Sequence, residues 1–343
     1  MQKGVPRLKV MLGVALTGVV FLLGSTVTHG QTDDHEFSLQ VSPSPLISTV
    51  KPGQSTRLEL KVRNAGPAIE YLKIAPRSFT IDPTTQQPHI DDAKLPDTAS
   101  WISFAQPTFS VRPGETFTEK VTLAVPKEAG FSYAFSLVIN RTEAPQGTGR
   151  LLKGSVAIFT LINVDRPGAV RELQLANLKP TQGMYEYLPA EFQIQFKNTG
   201  NTIVQPTGNL FVQRGSQDKM PLATLPVNDT HGYILPGMVR TVSVKWDDGF
   251  PASVDDVQAD GSTTSHLEWD WGKLGKLRIG RYTAKLVAIY DDGHRDVPVL
   301  GEVSFWVIPW KILLGVLLVV VIIGFGLWSM VSKVVRLARR GRR

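Results

Sequence analysis

The sequence predicts an all-β protein: two immunoglobulin-like β-sandwich domains, with an N-terminal signal segment before them and one C-terminal transmembrane α-helix after them. Three observations carry that expectation. Short runs of alternating apolar and polar residues recur between Pro/Gly turns, the pattern of half-buried strands. The same turn-and-strand unit appears in both halves of the chain. Near the end, Ile312 to Met330 runs without a single charged residue.

At the N-terminus, Lys3, Arg7 and Lys9 precede the apolar run Val10–Leu23, and small and polar residues follow through Gly30. Charged, apolar and small-residue regions in that order make residues 1–30 a secretory signal with a cut after Gly30; the alternative, an uncleaved signal anchor, places the middle of the chain on the same side. The net charge of +7 then changes meaning. Three cations sit in the signal and seven at or after Lys311, so residues 31–310 carry −3. The basic balance reports topology and excludes a nucleic-acid footprint. With no cysteine, the exported part relies on core packing, and thiolate chemistry is excluded.

Residues 31–166 form the first predicted sandwich. Phe37, Leu39 and Val41 share one face of an opening strand, which the Pro-rich stretch Ser42–Pro45 bends or places at an edge. Lys51-Pro52-Gly53-Gln54 marks a tight turn, since Pro presets φ and Gly tolerates φ > 0. The strand Leu58–Val62 follows and stops at Asn64-Ala65-Gly66. The unit recurs at Arg112-Pro113-Gly114 before Val121–Val125, and Gly130-Phe131-Ser132-Tyr133 opens a strand to Ile139.

Residues 167–307 form the second, after a boundary near Asp165-Arg166-Pro167-Gly168. Phe192–Phe196 ends at Asn198-Thr199-Gly200 as Leu58–Val62 ends at Asn64; Leu235-Pro236-Gly237 leads into Val242–Trp246; Gly280-Arg281-Tyr282 opens the strand to Tyr290. Two stretches read as long irregular loops, 82–100 and the acidic 247–271. Neither has the Asp-x-Asp-x-Asp-Gly spacing of a calcium loop, so solvated turn acids are expected and no metal is predicted. Trp246 continues the inward phase of its strand. Trp269 and Trp271 point the same way if their segment is extended, and with Trp101 they are the candidate binding residues, able to stack on a sugar ring or fill a partner's pocket.

Residues 308–331 are the predicted membrane span, long enough for the ~30 Å hydrocarbon core. Trp306 and Trp310 sit at one edge and Trp328 at the other, where amphipathic rings anchor at headgroups. Lys333, Arg336, Arg339, Arg340, Arg342 and Arg343 make the tail, residues 332–343, basic and therefore cytoplasmic, with the ectodomain outside. Pro309 can end the last strand and open the helix.

Catalysis finds no motif. His35, His89, His231, His266 and His294 form no His-Glu-x-x-His pair, and neither a Gly-x-Ser-x-Gly elbow nor a phosphate-binding Gly-x-x-x-x-Gly-Lys loop is present. No enzyme activity, catalytic residue or cofactor is expected.

In order along the chain, Pro52-Gly53-Gln54-Ser55, Ala99-Ser100-Trp101-Ile102, Val111-Arg112-Pro113-Gly114, Val125-Pro126, Asn198-Thr199-Gly200-Asn201, Leu235-Pro236-Gly237 with Arg240, and Phe305-Trp306-Val307-Ile308-Pro309-Trp310-Lys311 resemble the WxL-interacting proteins of bacterial cell surfaces. The resemblance implies a peptidoglycan-binding first domain, a second domain that engages a protein partner or host surface, and a single-pass anchor; residues 247–271 are an insertion relative to that pattern. The expected function is a non-catalytic, membrane-anchored surface protein that binds cell-wall peptidoglycan, another surface protein, or both. The alternative is an accessory subunit of a membrane transport or secretion complex.

Overall fold

The computed structural model describes residues 37–82, 84–142, 154–215, 220–258 and 262–340, without the side chains of 257 and 334–340. The predicted signal segment, and Arg342 and Arg343, lie outside the described residues.

The first sandwich is built from β1 (Leu39–Ser42), β2 (Leu46–Val50), β3 (Ser55–Asn64), β4 (Glu70–Ile81), β5 (Pro88–Asp91), β6 (Ile102–Phe104), β7 (Thr108–Val111), β8 (Thr116–Ala124), β9 (Ser132–Arg141) and β10 (Ser155–Val164). One sheet has the order β1-β3-β8-β6, and the facing sheet β2-β10-β9-β4-β5. The Pro-rich stretch after β1 carries the chain between them: β1 pairs antiparallel with β3, and β2 pairs parallel with β10. Alternation does the rest. On β3, Leu60 and Val62 are fully buried while Glu59, Lys61 and Arg63 face solvent. They meet Leu72, Ile74, Leu137, Ile139 and Ile158 across the core.

The second sandwich repeats the plan with β11 (Leu173–Pro180), β12 (Met184–Tyr185), β13 (Ala190–Asn198), β14 (Thr207–Arg214), β15 (Ala223–Val227), β16 (Val239–Trp246), β17 (Ala252–Val257), β18 (Thr263–Glu268), β19 (Gly280–Asp291) and β20 (Asp296–Val307). Its sheets run β11-β13-β16 and β12-β20-β19-β14-β15, and again the opening strand is split, with β12 parallel to β20. Phe192, Phe196, Trp246 and Phe305 fill the core. The aromatic rings interlock edge-on, Trp246 lying 5.2 Å from Tyr282 and Phe192 5.0 Å from Phe305.

The repeated sequence unit is a repeated physical device. Gly53, Gly114 and Gly237 have φ of 74°, 77° and 74°, and in each turn an N–H closes back on the residue before Pro: Gln54 on Lys51, Glu115 on Arg112, Met238 on Leu235. These are type II turns, which need φ > 0 at the third position. The strand-ending asparagines are latches. Buried Asn64 donates its amide to the carbonyls of Ala68 (2.7 Å) and Val111 (2.9 Å) and accepts from Gly66 N–H (2.9 Å). Asn198 does the same with Thr202 (2.7 Å), Ile234 (2.9 Å) and Gly200 (3.0 Å). Two tyrosines at the starts of β9 and β19 also bond upstream backbone, Tyr133 to Gly130 N–H and Tyr282 to Ile279 C=O, the corner seen in immunoglobulin-like folds.

Three sequence expectations are corrected. Residues 82–100 are not one irregular loop, since β5 pairs antiparallel with β4 and Ala99–Trp101 is a 3-10 turn. Residues 247–271 are not one irregular loop: β17 and β18 form an antiparallel hairpin, and Trp271–Lys276 is a 3-10 turn. Among the described residues the hairpin pairs with no other strand of the sandwich beyond a bridge between Ala252 and Leu188, so β18 is largely wet, Ala252–Val254 are only half-buried, and no apolar alternation announces it. The helix, α1, spans Trp310–Arg340 and so passes the expected end of the span at residue 331. The tail carries good helix formers and no Gly or Pro before position 341. The stretch Trp310–Lys333 is long and apolar enough to cross a membrane.

Candidate functional site

Between the sandwiches lies a cleft of about 230 Å³. Its floor is the outer face of the first domain's larger sheet. Register places Ile90 beside Phe79 on β5 and β4, Ser136 beside Phe159 on β9 and β10, and Leu161 beside Ile47 on β10 and β2. Sheet faces turned from a core are ordinarily polar. Here Val138 and Leu161 are buried yet stand outside the core cluster, and Phe79 packs edge-on to Phe159 at 5.0 Å, both half-buried.

The opposite wall comes from the second domain. Asn228 holds the loop that forms it, donating to the carbonyls of Pro206 (2.7 Å) and Gly232 (2.9 Å) and accepting from Gly232 N–H (3.0 Å). The Arg240 guanidinium lies flat against Gly232, where a Cβ would come within 2.2 Å of it. Burial lowers the pKa of Arg240, and its Nε has no partner. The Arg240 guanidinium is the cation that lines the cleft beside its aromatic and aliphatic walls, a group whose N–H donors suit a carboxylate or carbonyl.

The domains are tied together next to the cleft. Ser132 Oγ donates to Asn201 O (3.1 Å), and Ile203 N–H donates to Asn163 Oδ1 (3.1 Å). In the connecting segment, Asn201 accepts from Val170 N–H (2.7 Å) and donates to Gly168 O (2.9 Å).

The predicted site residues are scattered. Trp101 lies at the edge of the first core, edge-on to Tyr133 at 4.6 Å. Trp269 and Trp271 do share one side, at the far end of the second domain, but Trp271 belongs to the 3-10 turn, so they are neighbours by stacking and not by strand phase. Trp306, Trp310 and Trp328 are exposed on β20 and α1, as is Lys333; Arg336, Arg339 and Arg340 continue the helix. Phe79, Phe159 and Arg240 were not singled out as a site. The available signal was β10, Ser-Val-Ala-Ile-Phe-Thr-Leu-Ile-Asn-Val, which is apolar in both strand phases.

The acids behave as turn acids. Asp82 accepts the N–H groups of Thr84 (2.8 Å) and Thr85 (2.7 Å), and those bonds hold its carboxyl below the usual value. Asp91 accepts from Ala93 and Lys94. Among the described residues no three His, Cys, Asp or Glu side chains converge as a metal site would require. A polar groove of about 450 Å³ runs beneath the β17–β18 hairpin, where Lys311 at the helix entry pairs with Glu186 at 2.9 Å.

The chain matches no protein-family model and no curated protein. Among solved structures it is similar to the YadV chaperone (12% identity over 78% of this chain and 99% of that one, TM-score 0.34). It is also similar to the E. coli chaperone DraB (12%, 68% and 98%, TM-score 0.34) and to the class 5 fimbriae chaperone CfaA (12%, 67% and 99%, TM-score 0.36). These likenesses extend to the β-sandwich class, which the strand order establishes by itself.

Proposed function

We propose that the chain is a membrane-anchored, non-catalytic cell-surface binding protein, single-pass, with its sandwiches outside and its basic tail cytoplasmic. The inter-domain cleft is the binding surface. The observation that carries this reading is the half-buried Phe79–Phe159 pair, on the side of β4 and β10 turned from the core, with Arg240 in the same cleft. Its ligand is cell-wall peptidoglycan or another surface protein, in keeping with the resemblance to WxL-interacting proteins. The mainly apolar lining, with Gln86, Thr230, His231 and the Arg240 guanidinium among it, favours an extended protein segment that offers apolar side chains and polar or carboxylate groups.

The orientation is supported by the cations that follow the span, which stay on the cytoplasmic side. Tethering confines the cleft near the wall, so a modest intrinsic affinity suffices.

Sedimentation of the full chain with insoluble peptidoglycan, and photo-crosslinking from position 159 in the native membrane, test the reading. Native protein is expected in the pellet or in a stoichiometric adduct. Phe79→Ser/Phe159→Ser should weaken capture about tenfold or more, as loss of a buried aromatic anchor does. Native chain that stays in the supernatant and gives no adduct removes the proposal. A stoichiometric membrane partner that survives mild detergent and ignores the double substitution supports the accessory-subunit alternative.

A further inference from the structure

The opposite end of the second sandwich carries an apolar cluster that the fold leaves uncovered. Trp269 and Trp271 stack with centroids 5.8 Å apart, and both lean on Phe250, at 5.8 and 5.5 Å. Phe250 is buried, whereas Trp269, Trp271, Leu274 and Leu277 are 45, 68, 53 and 39% exposed. A contiguous patch of this kind marks an interaction surface.

Its position selects the occupant. Gly280, just after this segment, pairs with Val307, the last residue of β20. Phe250 and Pro251 line the same small cavity as Val307 and Pro309, and α1 begins at Trp310. The cluster therefore stands where the chain enters its span, level with exposed Trp306 and Trp310. The junction holds it there: Ile308 N–H bonds Tyr185 O (2.8 Å) and Lys311 pairs with Glu186.

We propose that Trp269–Leu277 is a second membrane contact, seated in the boundary between headgroups and acyl chains of the bilayer that α1 crosses. The inference rests on the reading of α1 as a span. Tryptophan suits that depth because its ring is apolar and its N–H finds polar partners. The segment's cations are largely neutralised within the chain, Lys273 by Asp270 at 3.2 Å while Lys276 and Arg278 share Asp248, which leaves one positive charge in excess. Apolar burial, not charge, thus drives the seating, and it should persist at high salt and without anionic lipid.

The absence of cysteine makes the test direct. Full-length Trp271→Cys, Leu274→Cys, Val320→Cys and Leu300→Cys variants carry a nitroxide in phosphatidylcholine nanodiscs, with and without phosphatidylglycerol. Position 320 is inside the span, and exposed position 300 lies about 23 Å up β20 at ~3.3 Å per residue. Labels at 271 and 274 are expected to favour oxygen over a water-soluble nickel chelate, as 320 does, in both lipids and at high salt, while 300 shows the reverse. If 271 and 274 follow 300 while 320 reads lipid, the membrane contact is overturned and the span stands. If 320 also reads water, the span fails and takes the contact with it.

Discussion

Glu70 and Arg141 form an ion pair with 2% and 1% of their side chains exposed, between the start of β4 and the end of β9. Arg141 Nε bonds Glu70 Oε2 at 2.6 Å, its NH2 bonds Oε1, and the guanidinium lies over the Phe37 ring at 4.8 Å. In Glu70→Ala the guanidinium, 1% exposed, loses both of its bonds to the Glu70 carboxylate. Removing one partner of a buried pair costs about 3–5 kcal/mol. At 1.4 kcal/mol per decade, the first sandwich's core amides should exchange roughly 10²-fold to several thousandfold faster. Hydrogen exchange resolved by segment is the assay, because it reads each sandwich separately; Leu72–Ile74 and Leu137–Ile139 should accelerate, and Phe192–Phe196 should not. Replacing both partners, as in Glu70→Met/Arg141→Met, removes the uncompensated charge and should restore exchange to within about tenfold of the native rate. A single substitution that changes exchange less than tenfold, or a double one no better than the single, would refute the account.

The latches are separable in the same assay: Asn198→Ala strands three backbone groups and should cost the second sandwich about 3 kcal/mol with no change in the first, and Asn64→Ala the converse. Gly114→Ala meets no atom within 4 Å and should cost only the strain of φ +77°, about 1 kcal/mol, whereas Gly208→Ala drives a Cβ to 2.3 Å from Val287 O and should cost visibly more in a denaturant titration. Burial raises the Asp248 carboxyl, but hydrogen bonds and charge from Lys276 and Arg278 outweigh it, so the folded pKa lies below the ordinary 3.8. A depressed acid stabilises the fold above 3.8 and loses that contribution as pH falls through the folded value, so the 3-10 turn should loosen only below pH 3.8. Tryptophan emission against pH reads it, and Asp248→Asn should flatten that step.

Local features were legible in the sequence where one residue type has a single physical use. Pro-Gly before an alternating run means a type II turn, and Gly53, Gly114 and Gly237 all adopt the required φ. Asn64 and Asn198 were visible as strand ends, but the carbonyls they satisfy at Val111 and Ile234 lie 47 and 36 residues away, beyond any local pattern. The β17–β18 hairpin was missed because alternation encodes burial, and this hairpin buries little. The cleft was hidden for another reason. Phe79 and Phe159 lie on strands whose other phase fills the core, and only the three-dimensional packing brings them together. Arg240 lies on β16, and its place in the cleft depends on the Asn228 loop that closes over it.

The duplication has a structural consequence for reach. Both sandwiches use the same plan, yet their ends are fixed differently: one end of the second meets α1 through Ile308 and Pro309, and the other meets the first domain through Asn201 and Ile203. Arg240 opposes Phe196, near the Asn198 end, and Trp246 opposes Ala190, near the helix. Along β16 those two positions are six residues apart, so Arg240 stands about 20 Å from the helix end of the sheet at ~3.3 Å per residue. The helix junction is held by a backbone hydrogen bond and the domain junction by bonds between side chains and backbone, and neither has the Gly/Ser-rich composition of a flexible linker. If the chain is anchored as proposed, that standoff sets the cleft to meet wall polymer at that height or a protein with its own extracellular part.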